Sequence, residues 1–324
     1  MSKIAVVGPI PRDTINTHKD EIITKYGCIL HPSVALGKLL ENKGEVVPIA
    51  NVHKKDSAAI KKIVENYTAI STSSISDEAD SGTVIFLDFK DKDNREEKQT
   101  AFMKPILPKD VEPHLDADAF VFVPITDFEI PLQTITYIKK HSQAKIIFDA
   151  HGPTTCATVS GDRLRRFWVE MSQWLPYIDV LKMNLEESQC CWYKNEYDIS
   201  EMKSYNIKDR SHLDEMADHI LQYQTQYFYV TLDDEGCVLY QKGTDGAIEK
   251  TFIPSMKMED VIDTTGCGDS FAGGLAYGLA KYKDPIKAGQ FGNVLGALRT
   301  QGKTFDVFKN QQKTEKLVDE FYSK

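Results

Sequence analysis

The sequence predicts an α/β fold, a doubly wound and mostly parallel sheet flanked by helices. Three observations predict it. First, two continuous apolar runs, Phe120 to Val123 and Ile146 to Phe148, bracket a segment in which Leu132, Ile135, Tyr137 and Ile138 fall at helical spacing. Strand, helix and strand in that order, with strands apolar throughout, is the pattern of a parallel sheet covered on both faces. Second, the chain opens on a similar run, Ile4, Ala5, Val6 and Val7, closed by Gly8. Third, a Gly-rich stretch at residues 263–269 runs directly into a helical pattern, with Phe271, Leu275, Leu279 and Tyr282 on one stripe and Ala272 and Ala276 beside it.

Composition bounds the possibilities. The chain has 324 residues, enough for one large α/β domain or two small ones, and we read 1–324 as one. Net charge is −9, from 39 basic and 48 acidic side chains, which argues against a broad nucleic-acid surface but leaves room for a local cationic pocket. No apolar run approaches the roughly 20 residues needed to span a bilayer. The opening run is too short for a signal peptide, so no membrane association and a cytoplasmic location are expected. Six scattered cysteines, with no Cys-x-x-Cys, suit reduced thiols better than a disulfide framework or a zinc site.

The elements follow in order. After the first strand, Asp13 lies five residues beyond Gly8, where an Asx-turn is the ordinary reading. Residues 14–25 are polar with scattered isoleucines and read as strand or loop. Val34, Leu36, Leu39 and Leu40 suit a helix, 46–50 a short strand, 56–66 an exposed helix and 68–73 a further strand. Residues 83–104 read as a β-hairpin with a charged, solvated tip. Residues 163–174 read as a helix, Val180 to Asn184 as a strand, and Leu185 onward as a helix that Asn184 caps and Glu187 closes as a capping box. Residues 194–215 are charged and read as a surface insertion. An amphipathic helix at 213–224, a core strand at 227–231, a turn at 232–236 and further helices at 287–299 and 314–322 complete the chain.

The stretch Asp263-Thr264-Thr265-Gly266-Cys267-Gly268-Asp269 carries the chemistry. Its glycines sit where a loop becomes a helix. Backbone N–H groups there lack partners and the helix dipole is positive, so a phosphate fits. Gly266 and Gly268 let the backbone approach an anion closely. Asp269 then falls in the first helical turn, where a partner to the helix dipole is the ordinary reading of an Asp, as a simple turn is of the glycines. Beside a bound phosphate it would be repelled, and the chemistry that would use it there is removal of a proton from a hydroxyl attacking phosphorus. Two other motifs fail. The glycines lack the third member of a dinucleotide fingerprint, and Gly302-Lys303-Thr304 lacks the first glycine of a P-loop, since residue 297 is Ala297.

The 263–269 stretch resembles the signature of the ribokinase-like (PfkB) carbohydrate kinases, Asp-Thr-x-Gly-Ala-Gly-Asp, with Cys267 where Ala is usual. The resemblance implies a ribokinase-like α/β domain with a small projecting β lid, here from about 14–30 and 83–104. It implies ATP-dependent transfer of the γ-phosphoryl to a hydroxyl of a sugar, with Asp269 as base and the backbone of Gly266, Cys267, Gly268 and Asp269 as anion hole. It assigns Asp13 and Gly27 to substrate, with His31 and His151 standing where family members often carry Asn. Asn184 and Glu187, as Asn-x-x-Glu, would place Mg²⁺ through water. Thr231 and Gly236 match part of a Thr-x-Gly-x-x-Gly turn beside the nucleotide, with Asp233 in place of the first glycine, and Asn293 occupies a region that packs on adenine. Asp263 and Thr265 are candidates for a K⁺ site. A lid edge can pair between subunits into a homodimer.

Three other functions remain at this level. A nucleoside kinase of the same fold would carry the same motif. A non-catalytic nucleotide- or sugar-binding regulator would gain nothing from Asp269. A nicotinamide oxidoreductase is suggested by the α/β pattern alone.

Overall fold

A computed structural model describes residues 2–17, 21–90, 95–192, 206 and 208–323. The strands are β1 (Ser2–Val7), β2 (Arg12–Asn16), β3 (Ile22–Tyr26), β4 (Gly44–Asn51), β5 (Ile75–Ser76), β6 (Val84–Phe89), β7 (Arg95–Ala101), β8 (Ala119–Phe122), β9 (Lys145–Asp149), β10 (Thr155–Ala157), β11 (Arg163–Arg165), β12 (Val180–Asn184), β13 (Tyr227–Thr231), β14 (Gly236–Lys242) and β15 (Ile248–Pro254). The α-helices are α1 (Leu30–Leu39), α2 (Lys54–Val64), α3 (Pro108–Val111), α4 (Leu132–His141), α5 (Met171–Trp174), α6 (Leu185–Cys191), α7 (Leu213–Ile220), α8 (Cys267–Tyr282), α9 (Pro285–Arg299) and α10 (Gln311–Tyr322).

Nine strands form the main sheet in the order β15-β14-β13-β12-β9-β8-β1-β4-β5. All neighbours from β13 to β5 are parallel; β14 and β15 add an antiparallel edge. The strands are apolar throughout because both faces are covered. Ile4, Val6, Val121, Ile147 and Val180 pack into one core with α1, α8 and α9. Their neighbours Ala5, Val7, Phe120, Phe122, Ile146, Phe148 and Leu181 pack into a second core with α4 and α7. Strand order reverses between β1, which continues to β4, and β8, which continues to β9. In open α/β sheets ligands bind at the carboxyl ends of strands beside such a reversal.

The long helices α8 and α9 lie unusually close. A Cβ on Gly274 would stand 2.5 Å from the Gly292 nitrogen, and one on Gly278 would stand 2.4 Å from the Ala288 Cα. Their small-residue stripe therefore buys approach rather than hydrophobic area. A second, four-stranded sheet runs in the order β3-β2-β6-β7, joining residues far apart in sequence: β2 is parallel to β6, and both outer pairs are antiparallel.

Three local expectations differ from the structure. Residues 163–174 are helical only at α5; Arg163 and Arg165 instead lie on β11, paired with β10, where Arg163 donates to Gln99 Oε1 and the Ile125 carbonyl and Arg165 donates to Thr155 Oγ1 and Glu186 Oε2. Residues 68–73 form no strand beyond one bridge, Val46 with Ile70, and pairing with β4 is taken up at β5. The amphipathic helix expected to reach 224 stops at Ile220. Much of the 194–215 insertion and the tip of the 83–104 hairpin lie outside the described residues. All six cysteines are free, and among the described residues no helix is long and apolar enough to cross a membrane.

Candidate active site

The 263–269 loop ends at Gly266, whose φ of 84° is left-handed, and α8 starts at Cys267. A side chain at Gly266 is excluded twice, by that φ and by the His31 ring, whose Cδ2 would lie 2.3 Å from a Cβ. Ser270 closes the turn, its N–H and hydroxyl donating to the Gly266 carbonyl at 2.9 and 2.7 Å. The Cys267 N–H makes a long bond back to the Thr264 carbonyl, 3.3 Å. The N–H groups of Gly268 and Asp269 precede the first i→i−4 bond of the helix and so have no intrahelical acceptor. Gly268 also has a cation beside it: a Cβ there would be 3.0 Å from the Lys182 ammonium.

Lys182 projects from the core strand β12 and donates to Asp149 Oδ2 at 2.8 Å, both groups buried. Burial opposes the charge on Lys182, but Asp149 and Glu187 raise its pKa, so it stays an ammonium. Asp149 ends β9, and its Oδ1 accepts from the His151 N–H at 3.1 Å. His151 Nδ1 lies 2.9 Å from Glu187 Oε1, and the Arg163 guanidinium lies 3.2 Å from His151 Nε2. Since Arg163 can only donate, Nε2 accepts and Nδ1–H donates to Glu187.

Asn184 and Glu187 form the capping box of α6. The Glu187 N–H donates to Asn184 Oδ1 at 2.7 Å, the Asn184 N–H to Glu187 Oε2 at 2.8 Å, and Asn184 Nδ2 to Oε1 at 3.1 Å. Burial opposes ionisation of Glu187, but the His151 bond and the Lys182 charge hold it down to about 2. Asp269 has the opposite balance. Burial first, and then the negative charge of Asp149, push it up to about 6, against the pull of Lys182 and His151.

The adjoining wall is made by Asp13 on β2, Gly27 and His31 on α1. Asp13 Oδ2 and His31 Nε2 each lie 3.3 Å from the point a Cβ on Gly27 would occupy. Burial raises Asp13 to about 7, opposed by Lys25 and Arg163, and the Asp269 charge is among the effects it feels. Burial and the Arg299 charge lower His31 to about 3. Arg299 Nε donates to His31 Nδ1 at 3.0 Å, and buried Nε2 has no hydrogen-bond partner among the described residues. Asp263 accepts from Arg299 Nη2 at 2.8 Å and Lys25 Nζ at 3.1 Å on Oδ2, and from the Thr265 N–H at 2.9 Å on Oδ1. These bonds hold its carboxyl at about 2 against burial.

The structure thus gathers Asp269, Gly266, Cys267, Gly268, Asn184, Glu187, His151, Asp13, Gly27, His31, Asp263 and Thr265 around one loop. Thr231 lies beside Asn184 in the register of β12 and β13. Gly236 and Asn293 stand apart and converge on a different atom, the Ile253 carbonyl. A Cβ on Gly236 would be 2.2 Å from it, and Asn293 Nδ2 donates to it at 3.0 Å and to the Pro254 carbonyl at 3.2 Å.

Residues 135–305 match the sequence profile described as pfkB family carbohydrate kinase. The chain belongs to that family. Fructokinase-1 of Zea mays is 37% identical over 81 residues, 23% of this chain and 23% of that protein. The 2-dehydro-3-deoxygluconokinase of Bacillus subtilis is 32% identical over 89 residues, 26% of this chain and 25% of that one. The chain therefore aligns with about a quarter of the length of these curated relatives. The fold matches over nearly the whole chain: ribokinase from Giardia lamblia superposes with a TM-score of 0.72, covering 99% of each chain at 16% identity.

Within this pfkB-family chain, sequence reasoning missed Lys182, Asp149, Arg163, Lys25 and Arg299. Lys182 gave a usable signal, a lone charge inside the apolar strand 180–183, which a core tolerates only when paired. Arg299 closes a helix of small residues, and its partners Asp263 and His31 are distant in sequence, so no local pattern marks it. Arg163 was hidden by the helical reading of its segment.

Proposed function

We propose that the protein is a small-molecule kinase that transfers the γ-phosphoryl of ATP to a hydroxyl of a sugar or sugar-like substrate, with a nucleoside as the second acceptor class. The observation that carries this reading is Asp269, a half-buried carboxylate with a pKa of about 6 at the start of α8, one residue from Gly268 and its neighbouring Lys182 ammonium. A base poised near neutral pH beside an anion cradle suits a hydroxyl attacking phosphorus. Asp269 takes the hydroxyl proton as the oxygen bonds to phosphorus and the bond to the leaving diphosphate breaks. The Gly268 and Asp269 N–H groups and the Lys182 ammonium then stabilise charge on the transferring group without reorganising.

The cradle supports an anionic donor, since the space beside Gly268 that a Cβ would fill is lined by a cation. For Mg²⁺ the fit is through water. Glu187 Oε1 already accepts two bonds and Oε2 one, which leaves capacity for one water. When bound with the donor, Mg²⁺ would offset phosphate charge. Asp13 on β2 and Gly27 just after β3 tie the four-stranded sheet to the acceptor wall, and in this reading that sheet is the lid of a single 1–324 domain, excluding water from the transfer.

The donor has a second reading. Of the nucleotide-side candidates, Thr231 lies beside Asn184 on the neighbouring strand, while Gly236 and Asn293 are engaged at Ile253. A pyrophosphate-dependent kinase in the ribokinase family, complexed with a pyrophosphate analog and myo-inositol, superposes with a TM-score of 0.71, covering 97% of this chain and 99% of that one at 15% identity. Pyrophosphate would need the cradle alone.

The test is phosphoryl transfer from ATP or pyrophosphate, with Mg²⁺, to a panel of pentoses, hexoses, polyols and nucleosides, with Asp269→Asn alongside. Acceptor-dependent turnover should appear in the parent and fall about 10²–10⁴-fold in the variant with donor binding kept. Parent kcat should rise as pH climbs through about 6 and level off above it, because the carboxylate form is the base. Unchanged turnover in Asp269→Asn would remove Asp269 from the role.

A further inference from the structure

The resemblance implies a monovalent cation at Asp263 and Thr265, and the residues present do not fit one. Potassium is held by several oxygens that point at it free of hydrogen-bond donors. Here Asp263 keeps capacity for one further bond, on Oδ1, but its charge is already offset by two resident cationic side chains. Oδ2 accepts from Arg299 Nη2 at 2.8 Å and Lys25 Nζ at 3.1 Å, and Oδ1 accepts from the Thr265 N–H at 2.9 Å. A third cation at this carboxylate would sit against two fixed positive charges.

Arg299 is no incidental neighbour. It is 1% exposed, among the largest fully buried side chains of the protein. Its guanidinium spends each nitrogen on a separate piece of the site: Nη2 on Asp263 at the start of the anion-binding loop, Nε on His31 Nδ1 at 3.0 Å, and Nη1 on the Gly302 carbonyl at 2.5 Å. His31 in turn stands against Gly266, the left-handed residue at the end of the loop. One rigid, permanently charged group thus holds both ends of the loop, directly at Asp263 and through the imidazole at Gly266. A buried charge with every nitrogen matched is costly to break and cannot dissociate as a bound ion can.

We propose that Arg299 is a resident cation that takes the place of a bound monovalent ion, holding the 263–269 loop in its anion-binding shape, so that the protein works without K⁺. Arg299 is a positioning residue: it touches the loop and His31, not the reacting atoms. Lys25, on the second sheet and partly exposed, adds charge at the same carboxylate and is the lesser partner.

The experiment compares full-length protein in potassium chloride and in tetramethylammonium chloride at equal ionic strength, for the parent, Arg299→Ala, Arg299→Lys and Lys25→Met. Two readouts are used, melting temperature and turnover with the acceptor found in the panel above. The turnover readout presupposes the phosphoryl-transfer reading; the melting readout does not, so failure of one is distinguishable from failure of the other. The parent and Lys25→Met should be indifferent to the cation in both. Arg299→Ala should lose about 10²-fold or more in turnover, as expected when a preorganised anion site loosens. Millimolar guanidinium or potassium should restore at least about tenfold of that, a change of one decade in rate. The same ions should raise the melting temperature of Arg299→Ala and leave the parent unmoved, because only the variant has a vacancy to fill. Arg299→Lys, which keeps the charge, should stay indifferent to potassium; it decides the matter if Arg299→Ala does not fold. Activation or stabilisation of the parent by potassium over tetramethylammonium would overturn the proposal. So would Arg299→Ala that turns over like the parent without added cation, or whose loss neither ion restores.

Discussion

The 263–269 loop and the 231–236 turn both place glycines where irregular backbone gives way to the next element, and they use them for different ends. At the loop, the missing Cβ atoms face side chains: the His31 ring opposite Gly266 and the Lys182 ammonium opposite Gly268. At the turn, the missing Cβ of Gly236 faces backbone, 2.2 Å from the Ile253 carbonyl, in a residue whose φ is 130°. The charged groups differ in the same way. Around the loop Asp149 and Lys182 shift the ionisation of Asp269, and Asp269 shifts that of Lys182 and Asp13. Beside the turn, the amide of Asn293 is used to fasten α9 to the end of β15. A glycine in a motif is informative only through what stands opposite its absent side chain.

The largest test of this contrast is Lys182→Met. If the ammonium serves the cradle, kcat/KM should fall about 10²–10³-fold, as for loss of one preorganised group in an anion site. The same change leaves Asp149 buried without its partner, which typically costs about 3–5 kcal/mol of stability. The double variant Asp149→Asn/Lys182→Met separates the two effects. It should regain much of the melting temperature of the parent while its turnover stays low. Recovery of both together would make the pair structural and erase the distinction between loop and turn.

A matched glycine pair sharpens the contrast at smaller scale. Gly268→Ala brings a Cβ to 3.0 Å from the end of a lysine side chain, which can give way, so the expected change is in the donor KM and kcat with a melting temperature near that of the parent. Gly236→Ala meets fixed backbone at a φ that L-residues rarely adopt and should cost about 3 kcal/mol of stability, the upper end of ordinary single changes. Its kinetics per folded molecule should be those of the parent. Thermal melts beside donor titrations read both; a reversed pattern would contradict the assignment of the two glycines.

These differences also explain what the sequence disclosed. The parallel core was legible because strands buried on both faces must be apolar throughout, as Phe120 to Val123 and Ile146 to Phe148 are. The loop was legible because its glycines and carboxylates are contiguous. The groups that set its electrostatics come from elsewhere: Lys182 from the middle of β12 and Asp149 from the end of β9, Arg299 from a helix end 36 residues past Asp263, and Lys25 from the second sheet 238 residues away. No local period encodes such contacts. Arg163 was lost for another reason. Arg163 and Arg165 alternate across Leu164, which is a strand pattern too short to outweigh the helical spacing of the residues that follow.

The smallest expected effect belongs to Asn293→Ala. The resemblance places this residue by the adenine, whereas its Nδ2 donates to the Ile253 and Pro254 carbonyls and lies 3.3 Å from the Tyr322 hydroxyl. Removing the amide takes a donor from the buried Ile253 carbonyl and one of two donors from the carbonyl of exposed Pro254, a penalty of about 1–3 kcal/mol. Tyr322 still donates to the Pro254 carbonyl at 2.6 Å, which favours the lower end. If the amide is structural, the melting temperature should fall and the KM for ATP should stay within about twofold of the parent, since uniform binding is untouched. A KM for ATP raised about tenfold at unchanged melting temperature would instead mean that the side chain meets the nucleotide. The turn would then belong to the same working surface as the loop, and the carbonyl bonds would be what orients that surface in the absence of donor.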